Sequence, residues 1–226
     1  MQRCKEVHKA YQRVGALADH YDGMMTATSP CGRLALRLFW QFDEHTYQRY
    51  RNQAFAGIPA GFAGRLLEIP VGTGALSLPV YRSFPQAEVT CVDYAQNMLD
   101  TAKDRALDLG LNHLQFAIGD VSHLPYPKDY FDLVLSINGL HAFPDKSASL
   151  QETKRVLKKG GIFSGCTYIQ GENKLTDLFV RTFCSYRGYF TPPFDTISSL
   201  QERLHQLYRE VRLESIGSFA CFQCQK

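Results

Sequence analysis

The residues best placed to do chemistry are three acids and two glycines. In LLEIPVGTG, residues 66–74, an apolar run ends in the pattern Glu68-x-x-x-Gly72-x-Gly74 and opens directly into an amphipathic stretch. Glycines at such a strand-to-helix turn let the backbone bend sharply and let a ligand approach the main chain with no Cβ in the way. Asp93 follows nineteen residues after Gly74, at the end of EVTCVDY, where a carboxylate can accept hydrogen bonds from both hydroxyls of a ribose. Asp120 ends the next short run, AIGDV, and can accept from an exocyclic amine such as that of an adenine edge. Three acids at the carboxyl ends of three successive strands converge on one crevice, where an open α/β sheet takes its ligand. On the loop pattern alone, a plain tight turn and a dinucleotide site both stay open.

Those residues need a scaffold, and the chain supplies a repeated alternation. RLLEIP, EVTCVDY, LQFAIGD, FDLVLSI and IFSGCTYI read as strands, separated by helical ALSLPVYRSF, AQNMLDTAKDRALDLG and SLQETKRVLKKGG. Gly110 marks one helix end, and Lys158, Lys159 and Gly160-Gly161 suit another. A further helix is expected over residues 174–189, ended by Pro192-Pro193, then one through SSLQERLHQLYRE with Asp195 as its N-cap. The closing RLESIGSFACFQCQK reads as two strands around a Gly-Ser turn. The expected fold is therefore α/β: a Rossmann-like, seven-stranded, mostly parallel sheet with helices on both faces and an antiparallel last strand. Residues 1–55 read as a helical N-terminal extension and lid, and residues 56–226 as the ligand-binding domain.

Composition narrows the function. The 226 residues suffice for one large domain, and the 45% apolar and 21% charged fractions exclude a disordered chain. A formal charge of +3, with scattered lysines and arginines, gives no footing for a nucleic-acid partner. No apolar run approaches the ~20 residues of a membrane span. Seven widely spaced cysteines suit a reduced, cytoplasmic setting; Cys221-x-x-Cys224 has no second pair at zinc spacing, so no metal is expected.

Among the histidines, His141 in SINGLHAF follows the fourth strand and is the candidate general base, against the alternative of a packed loop histidine. His113, His123, His8, His20 and His205 read as surface or capping residues, and His45 has no assigned place. Aromatics crowd two regions: Tyr21, Phe39, Trp40, Phe42, Tyr47 and Tyr50 in the extension, and Phe183, Tyr186, Tyr189, Phe190 and Phe194 beyond the fifth strand. Such stripes are more often core than ligand box.

The segments LLEIPVGTG, EVTCVDYAQNMLDTAK, FAIGDVSHLPYPKDYFDLVLSINGLHAFPD and ETKRVLKKGGIF, in order across about residues 66–168, carry a resemblance. The chain resembles the class I S-adenosylmethionine-dependent methyltransferases, in particular the small-molecule group with the ubiquinone and menaquinone C-methyltransferases. The resemblance implies S-adenosylmethionine as methyl donor. Glu68, Gly72 and Gly74 would shape the methionine pocket, with Pro70 of the same loop beside them. Asp93 would hold the ribose, Tyr94 and Met98 flank the adenine, Asp120 and Val121 bind its edge, and Asn138 lie near the sulfonium. Tyr21 would approach the donor carboxylate, and the two aromatic regions would cover a mostly apolar site for a small-molecule acceptor, methylated at carbon or oxygen. A monomer or homodimer is expected.

The sequence departs from the family at Pro70-Val71, where a small residue usually precedes the glycine; proline offers no N–H to a ligand. That departure keeps a second hypothesis, a catalytically inactive methyltransferase-fold binding module. The third, an NAD-dependent oxidoreductase, is disfavoured by Ser77 at the place of a third glycine and by Asp120.

Overall fold

The computed structural model describes residues 30–226. Its seven strands are β1 (Arg65–Glu68), β2 (Glu88–Asp93), β3 (Leu114–Ile118), β4 (Phe131–Ile137), β5 (Leu157–Tyr168), β6 (Glu210–Ile216) and β7 (Phe219–Gln225), in the spatial order 3-2-1-4-5-7-6. β1 to β5 pair in parallel, and β7 runs antiparallel to both β5 and β6. The order reverses between β1 and β4, and the crevice beyond their carboxyl ends is the topological switch point.

The central strands are buried on both faces, as their continuous apolar runs require. Along β1, Leu66 packs into a core that also takes Leu99 and Ala102 of the helix Gln96–Asp108, while Leu67 packs into the core on the other face. That second core holds Leu150 of the helix Lys146–Val156, and Leu200 and Leu204 of the helix Ile197–His205. The helices Pro30–Phe39 (α1) and Glu44–Phe55 (α2) and the turn between them bury Leu36, Trp40, Phe42, Tyr47 and Tyr50 in the first core, so this described part of the extension shares the domain's interior. We number the remaining helices α3 (Leu78–Tyr81), α4 (Gln96–Asp108), α5 (Lys146–Val156), α6 (Lys174–Phe179) and α7 (Ile197–His205).

Several local expectations need correction. Lys158 to Gly161 do not end a helix: α5 stops at Val156 and β5 starts at once. The stretch is held by its neighbours, with the Lys158 ammonium 2.6 Å from Asp132, Gly160 N–H donating to Lys226 O, and Lys226 N–H donating to Gly161 O. The helix expected over ALSLPVYRSF shrinks to the single turn α3, with Pro79 in its first turn. The helix beginning at Lys174 passes after α6 into a π-helical turn, Val180–Cys184. Thr196, one residue beyond Asp195, caps α7 in a reciprocal pair with Ser199; Asp195 instead accepts from Ser199 Oγ at 3.1 Å and from the Arg203 guanidinium at 2.9 Å. Gly110, at φ +69, does close α4. The final hairpin turns at Gly217, φ +55.

Among the described residues no helix is long and apolar enough to cross a membrane. Nor do they contain a cluster of three His, Cys, Asp or Glu side chains suited to a metal. Cys221 and Cys224 lie three residues apart on β7 and point to opposite faces, one into each core, so the pair cannot act together.

Candidate functional site

A cavity opens at the switch point. Its lining runs from Glu68 through the loop to Ser77, takes in Asp93 and Met98, then Ile137, Asn138, His141 and Ala142, and closes with Gly188, Tyr189 and Phe190. Eight of the residues singled out in the sequence meet there: Glu68, Pro70, Gly72, Gly74, Asp93, Met98, Asn138 and His141. Tyr94, Asp120 and Val121 are not part of this wall. Tyr94 and Asp120 stand exposed just past the ends of β2 and β3, and Val121 is buried in the second core. Asp120 caps its own turn by accepting from Ser122 N–H at 2.8 Å. Tyr21, His8 and His20 lie outside the described residues. His45 and His123 are exposed, away from the cavity.

The loop is shaped by its glycines in two different ways. Gly74 sits at φ +68, and a Cβ there would lie 2.5 Å from Leu78, so both backbone and packing demand glycine. Gly72 sits at φ +57 with nothing within 4 Å of the Cβ position, which leaves open ground beside the main chain for a ligand. Pro70, the departure from the family pattern, packs directly against Gly139, where a Cβ would fall 2.1 Å from the proline Cδ. The Arg105 guanidinium of α4 bonds the Thr73 carbonyl and anchors the loop to the helix.

Two acids form the buried polar floor. Asp93 accepts from Gly72 N–H at 2.8 Å and from Ala95 N–H at 2.9 Å, and the Tyr94 N–H bonds it as well. These bonds leave the carboxylate acceptor capacity for a ribose hydroxyl. Burial raises its pKa to about 6 although those backbone bonds oppose the rise. Glu68 is buried with Tyr81 Oη donating to it at 2.8 Å, and burial pushes it to about 8, so at neutral pH it holds its proton. A folded-state value above the ordinary 4.5 means that unfolding releases this proton, so stability is full below about 4.5 and declines as pH rises toward 8. Glu68→Gln keeps the acceptor for Tyr81 and removes the titration. The melting temperature of the wild type is expected to fall more steeply than that of the variant between pH 6 and 8 (on the order of a few kcal/mol in stability). Parallel curves would contradict the raised pKa.

A third polar group was not legible in the sequence. Tyr50 Oη of α2 lies 3.0 Å from Asn138 Oδ1, 2.7 Å from Asn138 Nδ2 and 3.2 Å from Cys166 Sγ, all buried. Asn138 stands at φ +55 with its N–H donating to Cys166 O, so backbone and side chain are fixed together. Tyr50→Phe should cost roughly 1–3 kcal/mol by leaving the carboxamide unsatisfied, as read from the denaturant midpoint. An unchanged midpoint would show that the hydroxyl is not holding Asn138.

His141 is buried in the cavity wall. Tyr168 N–H donates to its Nδ1 at 3.0 Å, Thr167 Oγ1 lies 3.2 Å from the same nitrogen, and the Phe190 ring covers it at a centroid distance of 3.9 Å. Burial, with the Lys146 ammonium nearby, lowers its pKa to about 3. Of the aromatic-rich regions, Tyr189 and Phe190 enter the wall, whereas Trp40, Phe42, Tyr47 and Tyr50 are core and Tyr186 is 88% exposed.

Strand order, the antiparallel β7 and the glycine loop over the switch point define the class: a Rossmann-like methyltransferase domain. Comparison with known proteins agrees. Residues 66–161 match the family model described as a methyltransferase domain, so this part of the chain is a class I S-adenosylmethionine-dependent methyltransferase domain, and the chain has distant similarity to demethylmenaquinone methyltransferase. It is 26% identical to that enzyme of Staphylococcus aureus over 191 residues, covering 84% of this chain and 70% of the relative. In fold it is similar to the chain in complex with the Haloferax volcanii Trm112 methyltransferase activator (TM-score 0.70, 17% identity, 93% of this chain and 96% of that one). It is also similar to Haemonchus contortus phosphoethanolamine N-methyltransferase 2 in complex with S-adenosyl-L-methionine (TM-score 0.63, 19% identity, 83% and 44%).

Proposed function

We propose that the protein transfers a methyl group from S-adenosylmethionine to a small, apolar or aromatic acceptor, at carbon or oxygen. The observation that carries this reading is the shared cavity: the loop and Asp93 on one side, His141, Ala142, Tyr189 and Phe190 on the other, with Asn138 between. The donor supplies an electrophilic methyl group on a sulfonium, displaced in line with the S–C electron pair staying on sulfur.

The chain's residues bind, align and exclude water. Glu68, Pro70, Gly72 and Gly74 take the methionine part, and the open ground at Gly72 is the feature that fits it. Asp93 takes the ribose hydroxyls. The enclosed space is about 100 Å³, below the roughly 300 Å³ at which ligand clefts begin. A nucleoside therefore extends past Met98 over the rim, where Tyr94 and Asp120 stand exposed; with Val121 next to Asp120, these are its proposed adenine contacts. Residues 56–226 are the proposed donor-binding domain, and the described part of the extension, residues 30–55, packs into its core and reaches the site through the Tyr50–Asn138 contact. The buried free thiols Cys91, Cys166, Cys184, Cys221 and Cys224 suit a reduced cytoplasmic setting.

The test is release of S-adenosylhomocysteine above an acceptor-free blank, across a panel of phenols, quinols and prenylated rings. Donor binding without release on any of them would favour the second reading, a non-catalytic donor-binding module, for which the Pro70-Val71 loop is the supporting observation.

A further inference from the structure

We propose that His141 serves the reaction as a fixed neutral hydrogen-bond donor, presenting Nε2–H to an oxygen of the acceptor, and that the acceptor is accordingly a molecule bringing an ionisable hydroxyl, a phenol or an enol. The inference rests on the methyl-transfer reading and deepens it.

The tautomer follows from a backbone contact. An amide N–H can only donate, and Tyr168 N–H is aimed at Nδ1 from 3.0 Å. Nδ1 is therefore bare, and the proton of the neutral ring sits on Nε2. A second proton on Nδ1 is opposed by the Tyr168 N–H already aimed at it, by burial of the ring and by the Lys146 charge. Phe190 lies over the ring, Tyr168 meets it edge-on, and Thr167 stands 3.2 Å from Nδ1. From α5, the buried Lys146 Nζ donates to Thr191 O at 2.6 Å, while Thr191 N–H donates to His141 O at 2.9 Å, tying a positive charge to the histidine's own loop. None of these neighbours is a carboxylate that would stabilise an imidazolium. A ring held this way takes no proton at neutral pH, in agreement with its strongly lowered pKa.

What such a ring can do is donate one oriented bond. The rest of the acceptor side, Ile137, Ala142, Tyr189 and Phe190, is mostly apolar, so the bond acts in low dielectric. An anionic oxygen gains most from it, because charge-assisted bonds are the strong ones. A phenol or enol meets this by ionising on its own, helped by the donor. An ammonium would need its proton removed, and His141 is in no state to remove it; a thiolate ionises readily, but its sulfur is a weak acceptor and gains little from the bond.

The probe is 4-nitrophenol, titrated into the full chain saturated with S-adenosylhomocysteine, its absorbance reporting the ionised form. The wild type should bind the phenolate and lower the pKa of the bound probe. His141→Gln, whose amide N–H stands near the place of Nε2–H and which is no base, should retain most of that binding; His141→Phe should lose about tenfold or more. S-adenosylhomocysteine affinity, read separately by calorimetry, reports the donor site and the integrity of each variant; its absence in the wild type would sink the methyl-transfer reading itself. Nitrogen-15 spectra should show Nε2 protonated and Nδ1 bare between about pH 6 and 8. Three results overturn the inference: donor-site binding with no affinity for the phenolate, equal phenolate binding by the wild type and His141→Phe, or a doubly protonated ring in that range.

Discussion

Asp93→Ala is expected to weaken S-adenosylhomocysteine binding by roughly 1.5–3 kcal/mol, or about ten- to a hundredfold, in a calorimetric titration. The carboxylate has two jobs at once. It offers lone pairs to a ribose, and it accepts the Gly72 and Ala95 N–H groups that hold the loop against the end of β2. Removing it takes the ligand contacts away and frees the loop in the same step. Asp93→Asn should fall in between, because one acceptor oxygen survives while the new NH₂ faces an N–H donor. Affinity within twofold of the wild type for Asp93→Ala would place the ribose elsewhere.

The largest effect on the fold is expected at Gly165. It pairs with Ser136 across β4 and β5, has φ +154, and a Cβ there would fall 1.9 Å from Ser136 O. The contact is backbone against backbone, so no side-chain rotation relieves it. Gly165→Ala should cost ~4 kcal/mol or more, and many molecules should fail to fold. The same shift would carry away Asn138, whose N–H bonds the next strand at Cys166 O. Gly160→Ala is the control: φ +76 with open space around the Cβ position, a cost of about 1 kcal/mol. Equal losses in the two variants, measured by urea unfolding, would show that the strand contact is not what fixes Gly165.

What could be read from the sequence was what depends on local pattern. The apolar runs of β1, β2 and β4, the loop glycines and the acid ending β2 all speak through near neighbours, and they place five strands and most of the donor side. Lys158 to Gly161 could not be read, because their partners, the Asp132 side chain and the Lys226 backbone, lie far away in the sequence. The Tyr50–Asn138–Cys166 group joins positions 88 and 116 residues apart, and no spacing rule links an aromatic in a helix with an asparagine after β4. His141 was visible as a residue but not as a chemical state: its tautomer is set by the main chain of Tyr168, where side-chain identity gives no signal. In the same way composition marks residues 183–194 as aromatic, yet only the fold turns Tyr189 and Phe190 inward and Tyr186 outward.

The central claim, a site built for S-adenosylmethionine, is tested most directly by titrating S-adenosylmethionine, S-adenosylhomocysteine and NAD into the purified protein in a calorimeter. Micromolar binding of the first two, competition between them and no heat from NAD are expected. Silence from all three, or NAD binding that the methyl donor cannot displace, would contradict it.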